Sequence, residues 1–423
     1  MIVALFLSLV LLLALSVPVA FGIGLSGAAA LLVNGQIPLE VIAQRAFAAL
    51  DSWALMAVPL FILAGELMNA CGISSRAIAI VGRLRGGLPV VSITSSMFFA
   101  GISGSSSAST AAVGSMMIPA MRERGYPIGF ATALQAAGGA IGTIIPPSII
   151  MIVMGYVTET SIAALFIGGI LPGVLIAGAL IASSLKQARR YEREPRTDVL
   201  EETSLASALW QALPAIGMPV LVLGGILAGL FTATEAAGIA VAYGLVVGFV
   251  VYRELKLKDL ERLLVTAALR SSVVMFVATT AFLLAWIIAV GRVPDRLGEA
   301  LSSSTVNQLS FLLAANVVLI VVGTFMESIS AIIVIMPILF PLAIQFGVDP
   351  VHFGVLAAVN LCIGMVTPPY GATLFVACSI AGQSVSDIAG WTVRPVAAMI
   401  AVQVLITLFP ETVIILPRWF GLL

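Results

Sequence analysis

The chain has 423 residues, of which 61% are hydrophobic and 9% are charged. Soluble domains carry about 25% charged residues, so the composition excludes a soluble globular protein. A mean hydropathy of +1.16 indicates a polytopic helical membrane protein. Twenty basic residues balance twenty acidic ones, which gives nucleic-acid binding no support.

The chain contains three cysteines and one histidine, and this predicts neither a disulfide framework nor a zinc site. Cys71, Cys362 and Cys378 lie in or beside apolar segments, and we interpret them as small buried residues. The first basic residue is Arg45, whereas a secretory signal begins with basic residues. Residues 2–20 are therefore predicted to form a retained transmembrane helix.

The rest of the first half alternates apolar spans with interrupted segments. The predicted elements are a span at 21–34, an amphipathic interfacial helix at 37–50, a span at 52–70, a re-entrant hairpin at 89–121, a broken helix at 127–157 and a span at 160–184. The hairpin is predicted because a Ser/Gly cluster interrupts an apolar stretch whose two arms are short. In the last span, Gly169 and Gly173 form a G-x-x-x-G pattern that favours close helix packing.

The broken helix contains the sequence Ile-Gly-Thr-Ile-Ile-Pro-Pro at 141–147, and a matching Ile-Gly-Met-Val-Thr-Pro-Pro lies 222 residues later at 363–369. A Pro-Pro pair removes two amide donors and clashes with the preceding turn. Within a bilayer, freed carbonyls are tolerated only beside protein or a water-filled cavity. Two such breaks in corresponding places indicate the binding site of a transporter.

The second half repeats this order after a polar linker at 185–204. Its predicted elements are spans at 207–230 and 234–252, an interfacial helix at 254–270, a span at 272–290, a polar loop at 291–308, a re-entrant hairpin at 309–345, a broken helix at 350–380 and a last span at 391–410. Thr232 and Glu235 predict a helix start, because a hydroxyl cap precedes an acidic first turn.

The fold predicted from this order is an all-α polytopic membrane protein with two inverted-topology repeats. Each repeat, 1–184 and 205–423, has five crossings, and an odd number places the second repeat in the opposite orientation. The scaffold helices are predicted at 2–70 in the first repeat and at 207–290 in the second. The positive-inside rule predicts that both termini lie outside and the linker in the cytoplasm. Only four basic residues then remain outside, namely Arg45, Arg292, Arg296 and Arg418.

Two inverted hairpins are expected to meet near the membrane midplane, where their helix N-termini favour an anion. Hydroxyls and unwound carbonyls offer neutral oxygens, a donor set that suits Na⁺. Because neither tip carries Lys or Arg, we expect hydroxyls, amides and bound cations to recognise the anion. The serine cluster could instead be a small-residue packing face. Glu327 could act functionally or cap hairpin amides.

Other polar residues are given structural interpretations. Gln135 and Asn360 are expected to bond the freed backbone, Glu66 and Asn69 to lie at an interface or in packing, and His352 to be solvated. The pattern Gly101-Ile102-Ser103-Gly104 raises a remote alternative, an intramembrane serine protease. That chemistry needs a histidine base within reach of Ser103, and the predicted topology places His352 on the opposite membrane side.

Together, several segments resemble the large membrane subunit of TRAP (tripartite ATP-independent periplasmic) transporters, over nearly the whole chain. The resembling stretches are Leu50-Asp51-Ser52, Val58 to Gly65, Gly101 to Ser106, Gly142 to Ser148, Phe231 to Ala237 and Gly364 to Pro369. One departure is Ala233, where the family pattern predicts proline. It lies outside the expected site.

The resemblance implies an elevator-type, Na⁺-coupled transporter in the bacterial inner membrane. The expected substrate is an organic acid, such as a C4-dicarboxylate or sialic acid. The expected partners are a periplasmic substrate-binding protein and a small four-helix membrane subunit. A stand-alone Na⁺/dicarboxylate symporter of similar architecture remains the alternative, and neither interpretation is enzymatic.

The resemblance also implies where ions and substrate bind. One Na⁺ is expected at Ser103, Ser106, Gly142, Thr143 and Pro146. A second is expected at Gly323, Glu327, Gly364, Thr367 and Pro368. The residues expected to bind substrate are Ser103, Ser105, Ser106, Ser107, Thr324, Ser328, Pro147 and Pro369.

Overall fold

The computed structural model describes residues 1–72, 76, 87–191, 205–302 and 307–423. Within these ranges every regular element is helical, as predicted. The helices are α1 (Ile2–Ala14), α2 (Val19–Asn34), α3 (Glu40–Leu50), α4 (Ala57–Ala70), α5 (Gly87–Ser103), α6 (Ser106–Glu123), α7 (Ile128–Ala140), α8 (Ile149–Thr158), α9 (Ile162–Tyr191), α10 (Leu205–Leu227), α11 (Ala233–Val246), α12 (Leu257–Val290), α13 (Val293–Ser302), α14 (Gln308–Phe325), α15 (Ser328–Gln345), α16 (Pro350–Gly364), α17 (Ala372–Ala381), α18 (Val385–Leu408) and α19 (Glu411–Trp419).

Six helices in the described ranges are long and apolar enough to cross a membrane. They lie at 162–185, 233–251, 257–290, 308–325, 328–345 and 385–408. A seventh candidate is the pair formed by α3 and α4, which meet at a bend of 65°. The chain is therefore a multi-pass membrane protein, in agreement with its composition.

Both predicted hairpins and both broken helices are present. We call α5 with α6 hairpin 1 and α7 with α8 broken helix 1. We call α14 with α15 hairpin 2 and α16 with α17 broken helix 2. Hairpin 1 reverses at Gly104, whose φ of +60° is open to glycine without steric cost. The helical halves α7 and α16 are buried almost throughout, so they form the centre of the molecule.

The two repeats exchange contacts reciprocally. The second half of broken helix 1, α8, packs against α15 of hairpin 2. In the same way, α17 of broken helix 2 packs against α6 of hairpin 1. At the centre, the Cys362 thiol donates to the Ala140 carbonyl at 3.1 Å, and these residues are 222 positions apart. Equivalent positions therefore meet each other, as an inverted repeat requires.

Helices α1 to α4 and α10 to α12 form a scaffold beside the hairpins. α12 packs against α2, α3 and α4, and α11 packs against α4. α11 begins with the predicted capping box, in which Thr232 and Glu235 bond each other's amides. α4 also contacts α5 of hairpin 1, and α12 contacts α15 of hairpin 2. The scaffold therefore touches both hairpins.

The single helix predicted at 2–20 is wrong. α1 ends at Ala14 and α2 begins at Val19, with Ser16 at φ +60° between them. Pro18 lacks an amide donor and disfavours helical backbone at the residue before it, so the chain turns there.

Two predictions in the second half are also wrong. The interfacial helix at 254–270 and the span at 272–290 form one helix of 34 residues, because Leu257–Val290 contains no glycine or proline. The loop predicted at 291–308 contains α13, which packs against α15. The linker begins later than predicted because α9 runs to Tyr191, and residues 192–204 lie outside the described ranges.

Candidate functional site

The tip of hairpin 1 directly contacts the first helix break. A methyl group added at Gly142 would lie 3.2 Å from the Ser106 backbone. The Ser106 hydroxyl donates to the Ala140 carbonyl at 3.4 Å, and the Thr143 hydroxyl donates to the same oxygen at 3.0 Å. The Pro146 carbonyl also faces hairpin 1, 3.4 Å from the position of a Cβ on Gly101. Four residues predicted for the first site therefore lie together, and all are buried.

The neighbouring residues Ser103, Ser105 and Ser107 make different contacts. The Ser103 hydroxyl lies 3.1 Å from the Ser109 hydroxyl and donates to the Ser105 carbonyl at 3.3 Å. Ser105 caps α6 by accepting from the Ala108 amide. Ser107 is half-buried on the first turn of α6. Ser103 and Ser105 line the cavity described below, and in the described part of the chain Ser107 is not among the lining residues.

Hairpin 2 meets the second break even more closely. A Cβ on Gly364 would lie 2.5 Å from the Gly323 carbonyl carbon, so the two backbones touch. The Gly371 amide donates to the Thr324 carbonyl at 3.3 Å, and the Ser328 hydroxyl contacts the Met365 sulfur at 3.0 Å. Of the residues predicted for the second ion, Gly323 and Gly364 therefore lie in contact, whereas Glu327 and Thr367 bond the backbone of their own segments.

The two breaks have related geometry but different exposure. The peptide bonds Pro146–Pro147 and Pro368–Pro369 are both cis. The Thr143 carbonyl accepts from Ser148 at 2.7 Å, and the Met365 carbonyl accepts from Thr373 at 2.8 Å. Pro146 and Pro147 are buried, whereas Pro368 is half-buried and Pro369 exposed. The Thr367 hydroxyl lies in the break and donates to the Ile363 carbonyl, in the last turn of α16, at 2.7 Å. The second break is therefore the more accessible one.

Glu327 acts as a helix cap at the tip of hairpin 2. Its carboxylate accepts from the Ile329 amide at 3.0 Å, and it precedes α15 as Ser105 precedes α6. This contact supports the capping interpretation that the sequence left open. Glu327 is nevertheless an exposed residue at the tip of hairpin 2.

A cavity of about 590 Å³ separates the scaffold from the hairpins. Its wall combines Glu66 of α4, Arg270 of α12 and Ser103 and Ser105 of hairpin 1, and it reaches Ile329 of hairpin 2. Glu66 and Arg270 form an ion pair across the two scaffold helices. Arg270 is the one cation in the wall among the described residues.

Sequence reasoning did not identify this pair, since it interpreted Glu66 as lying at an interface or in packing and counted Arg270 only among the basic residues of the cytoplasmic side. The available signals were an acid inside apolar α4 and an arginine at the start of the apolar part of α12. They are 204 residues apart, and local patterns do not connect positions so distant.

Gln135 and Asn360 are structural, as expected, but the predicted partner is wrong. The Gln135 side chain accepts from Ser92 at 2.6 Å and donates to Ser96 at 3.0 Å, both on α5. The Asn360 amide donates to the Asn316 side chain of α14 at 2.7 Å. Each amide thus joins a broken helix to its hairpin, and the Asn360 amide also donates to the Leu356 carbonyl of its own helix at 3.0 Å.

The prediction that His352 is solvated is also wrong. His352 is 1% exposed, and its Nε2 atom lies 3.0 Å from the Ile406 carbonyl. Asp349 caps α16 and places His352 in the first turn, against α18. Ser103 instead contacts Ser105 and Ser109. The nucleophile–base pair of a serine protease is therefore not formed.

The donor set of the two clusters is of the type that binds hard cations. In the described part of the chain, no three His, Cys, Asp or Glu side chains gather as a transition-metal site would require. The clusters instead present hydroxyl and carbonyl oxygens, which are ligands typical of hard cations. They do so at helix breaks, where backbone oxygens are freed from helical bonding.

These features define a class of protein, a secondary transporter built from inverted repeats with paired hairpins and broken helices. Residues 6–412 match the family described as "Tripartite ATP-independent periplasmic transporter, DctM component". The chain belongs to this family. It is therefore a membrane component of a TRAP transporter and not an enzyme, which confirms the resemblance inferred from its motifs.

Individual relatives agree with this assignment. The chain is 42% identical to the isethionate TRAP transporter permease protein DctMQ of Oleidesulfovibrio alaskensis, over 97% of this chain and 65% of that longer relative. It is 33% identical to the C4-dicarboxylate TRAP transporter large permease protein DctM of Rhodobacter capsulatus, over 98% of both chains. The YdaH transporter of Alcanivorax borkumensis has a similar fold, with a TM-score of 0.61, 15% identity and coverage of 88% of this chain and 87% of that chain.

Proposed function

We propose that this protein is the large permease of a system that couples Na⁺ entry to the uptake of a small organic acid across the bacterial inner membrane. The observation that carries the proposal is the pair of oxygen-rich clusters, Ser106 with Gly142 and Gly323 with Gly364, each formed where a hairpin tip meets a break. The relatives named for C4-dicarboxylate and isethionate transport support an organic anion as substrate.

In this proposal each cluster holds one Na⁺, which supplies positive charge beside the substrate. Ser103, Ser106, Gly142, Thr143 and Pro146 would hold the first ion. The second would be held by Gly323, Glu327, Gly364, Thr367 and Pro368. The N-termini of α6 and α15 begin at the tips and add a favourable dipole for the substrate carboxylate. The tip residues Ser105, Ser107, Thr324 and Ser328, with Pro147 and Pro369 of the two breaks, would complete the substrate site.

The proposed mechanism is an elevator. The hairpins and broken helices exchange contacts reciprocally and would move as one body against the scaffold. The cavity wall includes Asn69 and Gly72, at the C-terminal end of α4. In the topology predicted from basic residues this end is cytoplasmic, and a cavity beside it would belong to an inward-facing state.

The test is uptake by proteoliposomes that contain this chain with its small membrane subunit and binding protein. Succinate, isethionate and N-acetylneuraminate serve as labelled probes, with Na⁺ outside or replaced by K⁺. We expect uptake of at least one probe that depends on Na⁺ and on the binding protein. Uptake indifferent to Na⁺ would contradict the coupling, and full uptake without the binding protein would support a stand-alone symporter.

A further inference from the structure

Arg270 places a positive charge where sequence reasoning expected none. That reasoning considered only the hairpin tips, which lack Lys and Arg. The cation instead comes from the scaffold helix α12 and lines the same cavity as Ser103 and Ser105. One helical turn further along α12, Val274 shares the wall with Ile329 of hairpin 2. The arginine therefore borders a space that reaches both tips.

A series of contacts connects Arg270 to hairpin 1. A Cβ on Gly65 would lie 3.3 Å from the Ser103 Cα, so α4 touches the hairpin at this point. The next residue, Glu66, pairs with Arg270. Arg270 is thus connected to hairpin 1 through Glu66 and the adjacent Gly65.

Arg270 retains capacity for a second anion. Its side chain is 56% exposed, whereas Glu66 is only 15% exposed. A guanidinium has five N–H donors in a planar fork, and one carboxylate partner leaves several of them free. The fork also matches the geometry of carboxylate and other oxyanions.

We propose that Arg270 is an anion receptor on the scaffold that binds the carboxylate or sulfonate of the transported acid, while Glu66 holds and competes for the guanidinium in the empty site. This inference rests on the proposed function, because it assigns the partner of the substrate's charge in the same site. Ser103 moves with hairpin 1, and Arg270 belongs to the scaffold. The substrate therefore contacts both residues only in the present arrangement of hairpins and scaffold. The two end states of the transporter consequently have different affinities for the substrate.

If the Glu66–Arg270 pair acts only as a staple that holds α4 and α12 together, the expected results differ. An ion pair that is open to water adds little to stability, and α4 and α12 already pack together without it. If the pair is a staple, loss of either residue should weaken substrate binding equally. If Arg270 is a receptor, loss of Arg270 should weaken substrate binding, and loss of its competitor Glu66 should strengthen it.

The experiment is a binding titration of the purified membrane complex in Na⁺ buffer, with succinate, isethionate and N-acetylneuraminate as probes. We expect Arg270→Gln to raise the Kd of the bound probe about tenfold or more, which is about 1.4 kcal/mol. Glu66→Gln should lower it. Arg262→Gln, which removes the same charge from an exposed position of α12, should leave it unchanged. For succinate, the neutral diamide succinamide should not compete.

The outcomes separate the two proposals. If the wild-type complex binds a probe and Arg270→Gln binds it equally well, the receptor is disproved while the proposed function stands. Equal weakening by Arg270→Gln and Glu66→Gln would also overturn the receptor, in favour of a staple. If the wild type binds none of the three acids, the proposed substrate class fails and the receptor fails with it. If Arg270→Gln does not fold, Arg270→Lys replaces it, and weaker binding by Arg270→Lys with tighter binding by Glu66→Gln supports the receptor.

Discussion

At the scale of single residues, the site depends on glycines that lack a side chain where two backbones meet. Gly142 lies against Ser106, and Gly364 lies against Gly323. Their importance could be inferred from the sequence because both precede Pro-Pro pairs at matching positions. Arg270 and Glu66 could not be inferred in this way, because their pairing depends on how α4 and α12 pack and no local pattern encodes that contact.

Gly364→Ala is expected to separate hairpin 2 from the second break. The added methyl would lie 2.5 Å from the Gly323 carbonyl carbon, and backbone atoms have little freedom to shift. Overpacking of this kind costs about 1–3 kcal/mol, and we expect Na⁺-driven uptake to fall by about tenfold or more. Uptake assays and thermal unfolding of the purified protein measure the two effects.

The matched control is Gly178→Ala in α9, because a Cβ at Gly178 meets no atom within 4 Å. It should leave uptake and the unfolding temperature near wild type. Full uptake by Gly364→Ala would show that the close backbone contact at the second break is dispensable.

At the scale of elements, local signals predicted most of the structure correctly. The Ser/Gly cluster indicated hairpin 1 and the Pro-Pro pairs indicated both breaks, since each signal acts on its own segment. The prediction was wrong where a helix continues because its segment contains no helix-breaking residue. Residues 257–290 contain no helix breaker, so one helix replaces the predicted interfacial helix and span.

Gln135 joins hairpin 1 to broken helix 1, so its loss should loosen these two elements. An interhelical hydrogen bond inside a membrane protein contributes about 1 kcal/mol, and Gln135→Leu removes two, for a loss of about 2 kcal/mol. Ser92→Ala removes one of the same bonds. The double variant should therefore cost less than the sum of the single variants.

Equilibrium unfolding in mixed detergent measures this coupling. Thr412→Ala is the control, because that exposed hydroxyl bonds only the Phe409 carbonyl of its own turn among its described contacts. Strict additivity of Gln135→Leu and Ser92→Ala would argue that the bridge does not couple the two helices.

At the scale of the whole molecule, the repeat and its inverted orientation could be predicted from the offset of 222 residues and the odd number of crossings. The arrangement of the hairpins against the scaffold could not. A transporter must adopt more than one such arrangement, so one sequence is compatible with several, and the choice depends on small differences in packing.

Cysteine accessibility tests both the orientation and the arrangement. Ser115 is exposed and lines the cavity beside α4, so Ser115→Cys should react with a membrane-impermeant thiol reagent from the cytoplasmic side. The three native cysteines are buried and should contribute little background. Labelling is compared between inside-out and right-side-out vesicles.

Arg418→Cys provides the opposite marker, because the predicted topology places that residue outside. It should react only in right-side-out vesicles. If the two variants exchanged their labelling patterns, the predicted orientation would be reversed. If Ser115→Cys reacted from neither side, the cavity would not open to water in the membrane.

The contact between Cys362 and Ala140 has a consequence for the origin of the fold. These residues occupy the same position in the two repeats, so their contact lies on an axis of approximate two-fold symmetry within the membrane. Two separate half-length chains, inserted in opposite orientations, would bring this position against its own copy in an isologous dimer. The present chain has the geometry of such an antiparallel dimer joined into one polypeptide. The joining allows equivalent positions to carry different side chains, such as Ser105 and Glu327 at the two tips.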